Sequence, residues 1–339
     1  MTPRGVGTFG TALDGGVRGL FAVGDRTPLV MRARAVDAAG VADVDLGGRN
    51  VLVTGATSGI GRETALALGS LGATVLVHGR DEAAGERVVG ELRRVGAEAA
   101  SFLPADFASL ASVEDLAAAV ESRVDGLDVL VNNAGGHFRR GRLTDAGVER
   151  TFAVNHLAPF LLTARLAPIL ADDGRVVTVA STVHGRYDGD FSEVGSVADY
   201  DGLDAYARSK LANVLFTLEL AERLDGPTAT CCHPGFVPGS RLWRNASLPV
   251  RLVVSALAAL PDPITRRVAD TPATAAATGT YLAAAPEAAD WNGVYVSDCE
   301  PTDPATQARD DDLRERLWDL SVELSGLDGD DIPARERGR

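Results

Sequence analysis

The chain has almost no lysine. Of its 33 basic residues, 32 are arginine and one, Lys210, is lysine. A solvated surface charge would be served equally well by arginine, so the exception asks for a task that an ammonium performs and a guanidinium does not. Acidic residues outnumber basic ones 47 to 33, for a formal net charge of −14. A surface of that sign excludes a nucleic-acid partner. Any phosphate the protein binds must be held by local geometry against the global field. Cysteines number three, Cys231, Cys232 and Cys299. Two adjacent thiols and one distant thiol form neither a disulfide framework nor a metal-ligand spacing, which points to a reducing compartment and to no metal. Aromatics make up only 5% of the chain, so helix-on-sheet packing has to rest on Ala, Val, Leu and Gly. Long apolar runs are also missing. "LVVSALAAL" over 252–260 is about half the ~18 residues of a membrane span, and the N-terminus lacks a charged-then-apolar signal. The expectation is a cytoplasmic protein with no integral membrane segment.

What is present is an alternation. Residues 1–47 are rich in Gly and Arg without a clear period, and read as a partly disordered extension with a short helix around 29–36. From Asn50 onward, β-branched runs at 51–55, 74–79, 98–106, 128–135, 175–181, 228–235 and 293–298 alternate with Ala- and Leu-rich stretches. The stretches near 60–70, 82–95, 109–123, 144–170, 204–224 and 272–285 have helical length. The strands are apolar throughout rather than alternating, as strands buried on both faces are. Regular strand–helix alternation predicts βαβ units and a single doubly wound α/β domain. Its parallel sheet has about seven strands flanked by helices. An α/β barrel would need eight such units. We place the folded domain at 48–325 and a polar tail at 326–339.

"VLVTGATSGIGRETALAL" opens that domain. A buried strand ends at Thr54, Gly55 makes the exit, and Gly59 and Gly61 flank the start of a helix. Glycines let backbone approach a pyrophosphate, and the helix start offers unpaired N–H groups and a positive dipole end. Gly55, Thr57, Ser58, Gly59, Ile60 and Gly61 are therefore candidate cofactor residues. Their Gly-x3-Gly-x-Gly spacing differs from the usual dinucleotide fingerprint. The second strand ends "VLVHGRDEA", with no carboxylate at its tip for ribose hydroxyls. Arg80 is there instead, either to pair a 2′-phosphate or as a solvated charge that starts a loop beside Asp81, and the first reading prefers NADP over NAD; Arg62 is a second candidate for that charge. Asp106, at the end of the third strand, is either an acceptor for the adenine amino group or a helix cap.

"AYARSK" puts Tyr206 and Lys210 one helical turn apart on one face. An ammonium there stabilises phenolate, draws the phenol pKa down towards the working range and can also reach ribose hydroxyls. Ser181 ends the fifth strand, and Asn155 lies in "TFAVNHLAPFLLT". Ligands of open parallel sheets bind at the carboxyl ends of strands, where Gly55, Asn132, Gly135 and Ser181 all fall. Ser181 is suited to hydrogen-bond a substrate oxygen.

"TGATSGIG", "NNAG" (132–135), Asn155, Ser181 and "YARSK", in that order, resemble the short-chain dehydrogenase/reductase family over roughly 48–325. "NHLAPFLLT", "HPG" (233–235) and the interval from Ser181 to Tyr206 are similar to its retinol-dehydrogenase-like branch. The resemblance implies a Rossmann-type fold and reversible hydride transfer between NAD(P) and a small-molecule carbonyl or alcohol. Carried over, Tyr206 is the general acid/base, and Lys210 tunes it and binds ribose. Ser181 positions the substrate, and Asn155 holds a water of the proton path. Asn132, Ala134 and Gly135 would support the nicotinamide half, and Pro234, Gly235 and Val237 its ring region. A threonine common after that glycine is absent, with Gly239 and Ser240 in its place. The stretch from Phe236 to Ile264, with Phe138, His184 and Tyr187, suggests a lipophilic pocket, and core packing or a dimer contact would use the same residues. His137, His156 and His233 read as structural. The branch also implies a homo-oligomer. A catalytically silent NADP-binding regulatory protein is the alternative, as is an epimerase or dehydratase on a related sheet.

Overall fold

The computed structural model describes residues 35–235, 237, 270–328 and 331. The strands are β1 (Asn50–Val53), β2 (Thr74–Gly79), β3 (Ala100–Pro104), β4 (Leu127–Asn132), β5 (Leu170–Val179), β6 (Thr228–His233), β7 (Val294–Ser297) and β8 (Glu300–Pro301). They form one sheet in the order β3-β2-β1-β4-β5-β6-β7-β8. All neighbours are parallel except β8, a two-residue strand that turns back antiparallel on β7. All seven predicted strands are present, and β8 is the addition. β1 pairs with both β2 and β4, so the order reverses there and opens a crevice at the strand ends.

The helices are α1 (Gly59–Ser70), α2 (Glu82–Val95), α3 (Leu110–Glu121), α4 (Arg150–Ile169), α5 (Gly202–Ala221), α6 (Ala277–Ala284) and α7 (Asp311–Ser325). Side-chain caps define several starts: Asp81 accepts from Ala84 N at 2.9 Å and Asp310 from Leu313 N at 2.9 Å, as short acidic residues before a helix do. α7 is an addition to the helices expected from sequence, although Leu313, Leu317 and Trp318 are buried at helical spacing along it. α4 is long and apolar enough to cross a membrane by length and composition, contrary to the expectation that no such run exists. Most of it is buried against the sheet and its neighbours.

Alternate residues of the central strands face opposite layers. Val51, Val53, Val75 and Val77 pack with α1, α2 and α6 residues such as Leu68, Leu92 and Leu282. Leu52 and Leu76 pack with Val113, Phe160 and Trp318 from α3, α4 and α7. The packed body starts before residue 48: Ala35, Val36, Ala39, Val41 and Leu46 are buried in the first of these layers, and residues 35–39 are helical. The rest of the expected helix at 29–36 lies outside the described residues. At the other end, Leu327 is buried and Asp331 pairs with Arg165 at 2.8 Å, so the first residues of the polar tail also pack.

Candidate active site

β1 leaves the sheet at Thr54, whose hydroxyl ties two strand ends together. It donates to Val131 O at 3.1 Å and accepts from Asn133 N and Ala134 N, each at 3.0 Å. The chain then turns through Gly55 at φ +65° and Gly59 at φ +61°, backbone that favours glycine. Gly61 is required by proximity instead: a Cβ there would lie 2.2 Å from Asn133 Nδ2 and 2.7 Å from Gly55 O. Gly55 N is bonded to His78 Nδ1 at 3.3 Å, and His78 Nε2 meets Ala105 O at 3.2 Å. Burial holds the His78 pKa down, to about 4. The neutral ring therefore donates from Nε2 and accepts at Nδ1, tying the glycine turn to the ends of β2 and β3. His78 also stacks on Phe107 at 4.3 Å.

A cleft of about 580 Å³ runs along these strand ends, within the size range of small-molecule and cofactor sites. It is lined by every cofactor residue the sequence nominates except Asn132 and Arg62, and by Ser181, Tyr206 and Lys210. Asn132 points the other way, donating to Thr163 Oγ1 on α4 at 2.9 Å. Successive strand residues face opposite sides, and it is Asn133 that reaches the cleft, holding Thr54 O at 2.7 Å. The second asparagine of "NNAG" was the available signal. Arg62 is also excluded. Its guanidinium is bound by Glu63 and by Glu91, and it does not line the cleft. Arg80 does, 3.8 Å from the Asp106 carboxylate with both side chains about half exposed. The cradle fits a dinucleotide: positive-φ glycines, a helix start and an arginine at the far rim lie along one cleft.

At the other end, Asp201 caps α5 by accepting from Leu203 N and Asp204 N. Tyr206 and Lys210 stand on consecutive turns of that helix, both buried. Ser181 and Tyr206 line the same end of the cleft, and the Ser181 side chain acts to lower the Tyr206 pKa. Lys210 Nζ donates to Val179 O at 2.7 Å and lies 5.7 Å from the Tyr206 ring centre. The spacing of Tyr206 and Lys210 predicts an acidified phenol. In the structure, burial pushes the Tyr206 pKa well above its ordinary value and the Ser181 hydroxyl only partly offsets it, because desolvation of a phenolate outweighs one hydrogen-bonding neighbour. Burial also draws Lys210 down, to about 8, so it remains an ammonium at neutral pH.

Asn155 does not line the cleft. It sits in a π-helical turn of α4, Ala153–Leu157, a distortion frequent at functional sites. Its amide accepts from Gly136 N at 2.8 Å and donates to Gly136 O at 3.0 Å and Ser209 Oγ at 2.9 Å. A Cβ on Gly135 would lie 3.2 Å from its Oδ1 and 3.7 Å from Lys210 Nζ, so Asn155 and Lys210 converge behind the Gly135–Gly136 turn.

Among the histidines, His184 Nδ1 meets Ser181 O at 2.6 Å and Nε2 accepts from Ala305 N at 2.9 Å; it fixes the Ser181 turn rather than lining the cleft. Tyr187 likewise bonds Asp190 O away from the cleft. His156 is fully buried among Phe152, Phe160 and Phe216 and meets Ser321 Oγ at 2.8 Å, a structural role. His137 and His233 line the cleft instead of serving only as core residues, and His137 packs edgewise on Tyr206 at 6.1 Å. Phe138 also lines it. Phe236 and the expected pocket segment up to Ile264, with Gly239 and Ser240, lie outside the described residues except for Val237.

Residues 49–248 match the family described as short chain dehydrogenase. The chain is 38% identical to retinol dehydrogenase 14 of Homo sapiens over 298 residues, 83% of this chain and 87% of that protein. It is 40% identical to polyprenol dehydrogenase of Mus musculus over 295 residues, 84% and 86% of the two chains. Among solved structures, the angucycline C-6 ketoreductase LanV with bound NADP is similar at a TM-score of 0.59 and 28% identity, covering 75% of this chain and 95% of that one.

Proposed function

Because this chain belongs to the short-chain dehydrogenase/reductase family and is an NAD(P)-dependent oxidoreductase, we propose that Tyr206 is its general acid/base and that Ser181, Lys210 and Asn155 serve it. The carrying observation is the convergence of Ser181, Tyr206 and Lys210 in the cleft that begins at the glycine turn. When bound, the nicotinamide supplies or accepts the hydride. The Tyr206 hydroxyl gives its proton to the carbonyl oxygen in reduction and takes one from the alcohol in oxidation. Ser181 holds that oxygen by a hydrogen bond, and Lys210 steadies the phenolate left after proton transfer. Asn155 pins Gly136 from both sides, and its Oδ1 retains a lone pair for a water beside Lys210.

NADP is the preferred cofactor in this reading. Arg80 would exchange its loose contact with Asp106 for a bidentate grip on the 2′-phosphate. The substrate is a lipophilic carbonyl or alcohol, supported by Phe138, Val183 and Val237 on the cleft wall and by relatives named for retinol and polyprenol. No member of the proposed tetrad is replaced, so nothing favours a silent regulatory protein.

Two measurements test this. Tyr206→Phe lowers turnover of a hydrophobic carbonyl panel by at least about 100-fold, as loss of a positioned proton donor does, while NADP still titrates with near-native affinity. Full turnover by that variant would remove the assigned chemistry. Titration of both cofactors gives tighter binding of NADP, and a preference of about tenfold or more for NAD would remove the role of Arg80.

A further inference from the structure

Phe138 lines the cleft, and the chain continues from it into "RRGR", with Arg139, Arg140 and Arg142 exposed. In a chain of net charge −14, three arginines within four residues are an anomaly. They stand on a fixed loop. Tyr200 Oη donates to Phe138 O at 2.7 Å, Leu143 bridges Glu149, and Arg150 N donates to Arg142 O at 2.9 Å. None of the three makes an ion pair or a side-chain hydrogen bond among the described residues.

A fourth arginine lies beside this loop. Arg150, at the start of α4, lays its guanidinium over the Phe138 ring, 4.6 Å from its centre. It is half-buried, its Nε is shielded from solvent without a hydrogen-bond partner, and it has no carboxylate partner among the described residues. Its neighbour Glu149 does not compensate it. That carboxylate is fully buried, caps Thr151 and Phe152, and pairs with Arg208 at 3.3 Å. A partly desolvated guanidinium with an unused donor is costly unless an anion completes it, and the planar fork suits a carboxylate.

We propose that Arg150 and the loop arginines form an anion subsite at the mouth of the cleft, which takes the carboxylate end of an amphipathic substrate whose carbonyl or alcohol lies at Tyr206. This deepens, and rests on, the oxidoreductase reading of the same cleft.

The test uses the full chain with NADP bound and compares decanoate, methyl decanoate and decanol by equilibrium titration. Turnover of a lipophilic keto acid and of its methyl ester is measured alongside. Decanoate binds at least about tenfold tighter than the neutral pair, the scale of a charge-assisted hydrogen-bonded pair, and the advantage shrinks with salt. Arg150→Met removes the advantage, Arg150→Lys keeps part of it, and Arg139→Gln with Arg140→Gln weakens it. NADP titration and circular dichroism of each variant establish that it is folded. Equal binding of acid and ester, no binding of decanoate, or an advantage that survives Arg150→Met would overturn the subsite. Ester turnover without acid preference would refute the subsite alone, whereas acid-selective binding without turnover of any carbonyl would refute the catalytic reading and leave the subsite standing.

Discussion

Replacing Lys210 by methionine removes the only lysine side chain in the sequence and keeps most of the side-chain volume. Nζ lies 5.7 Å from the Tyr206 ring centre. With the phenolate charge placed at the ring centre and an effective dielectric constant of about 20, a unit charge at that separation stabilises phenolate by about 3 kcal/mol, equivalent to about two pKa units. Burial has already raised the phenol, so the ammonium moderates a penalty rather than creating an acidic tyrosine. In alcohol oxidation Tyr206 must accept a proton. Below its pKa the phenolate fraction falls tenfold per unit, so Lys210→Met loses about 100-fold in kcat/KM near pH 7. The sign of the pH dependence follows from Lys210 itself. Its pKa is lowered to about 8, so the charge is present below that pH and is lost as pH rises through it. The deficit of the variant is therefore full at pH 7 and shrinks above about pH 8. Lys210→Arg restores little, because the fork must fit a space where Gly135 already packs close to Nζ. The assay follows the nicotinamide absorbance across pH, with NADP affinity measured separately. Thermal melting should not fall, since a buried cation with a single hydrogen bond is removed. A Lys210→Met enzyme within about fivefold of the native rate at pH 7, or with a deficit that grows above pH 8, would refute the electrostatic account.

Two further outcomes are expected. Gly61→Ala should improve helix propensity by about 1 kcal/mol, yet the new Cβ meets Gly55 O at 2.7 Å, and overpacking costs about 1–3 kcal/mol. We expect weakened NADP binding and a lowered melting temperature, and native values for both would show that the close approach is not needed. His78 and His156 are buried neutral, with pKa values lowered to about 4 and about 3. As pH falls below the unfolded value of about 6.5, the unfolded chain gains protons that the folded chain refuses. Each residue then removes about 1.4 kcal/mol of stability per pH unit until its own folded pKa is reached. Urea unfolding between pH 6.5 and 4.5 should steepen accordingly, and His156→Gln should flatten the slope by one residue's share. A stability flat across that window would count against the buried neutral rings.

Much of the site was legible because its spacing is local. A glycine turn between a strand and a helix, Tyr206 and Lys210 one turn apart, and Ser181 at a strand end are geometry set within a few residues. The rule that ligands meet parallel strands at their carboxyl ends then gathered them into one cleft. Reading failed where orientation mattered. Asn132 and Asn133 are adjacent and chemically identical, and only the pleat of β4 against α4 decides that the second faces the cleft. Arg62 was drawn to a phosphate by proximity in sequence, but Glu91, on the next helix, holds it.

Sequence alone determined the alternating architecture, the position of the glycine turn and the tyrosine–lysine pair, since short-range backbone preference and helical periodicity carry that information. Tertiary structure decided the electrostatics. Whether Tyr206 is acidified or raised, whether His78 is charged, and whether Arg150 has a partner depend on desolvation by elements distant in the chain. Burial is a property of the assembled layers, and no window of sequence contains it.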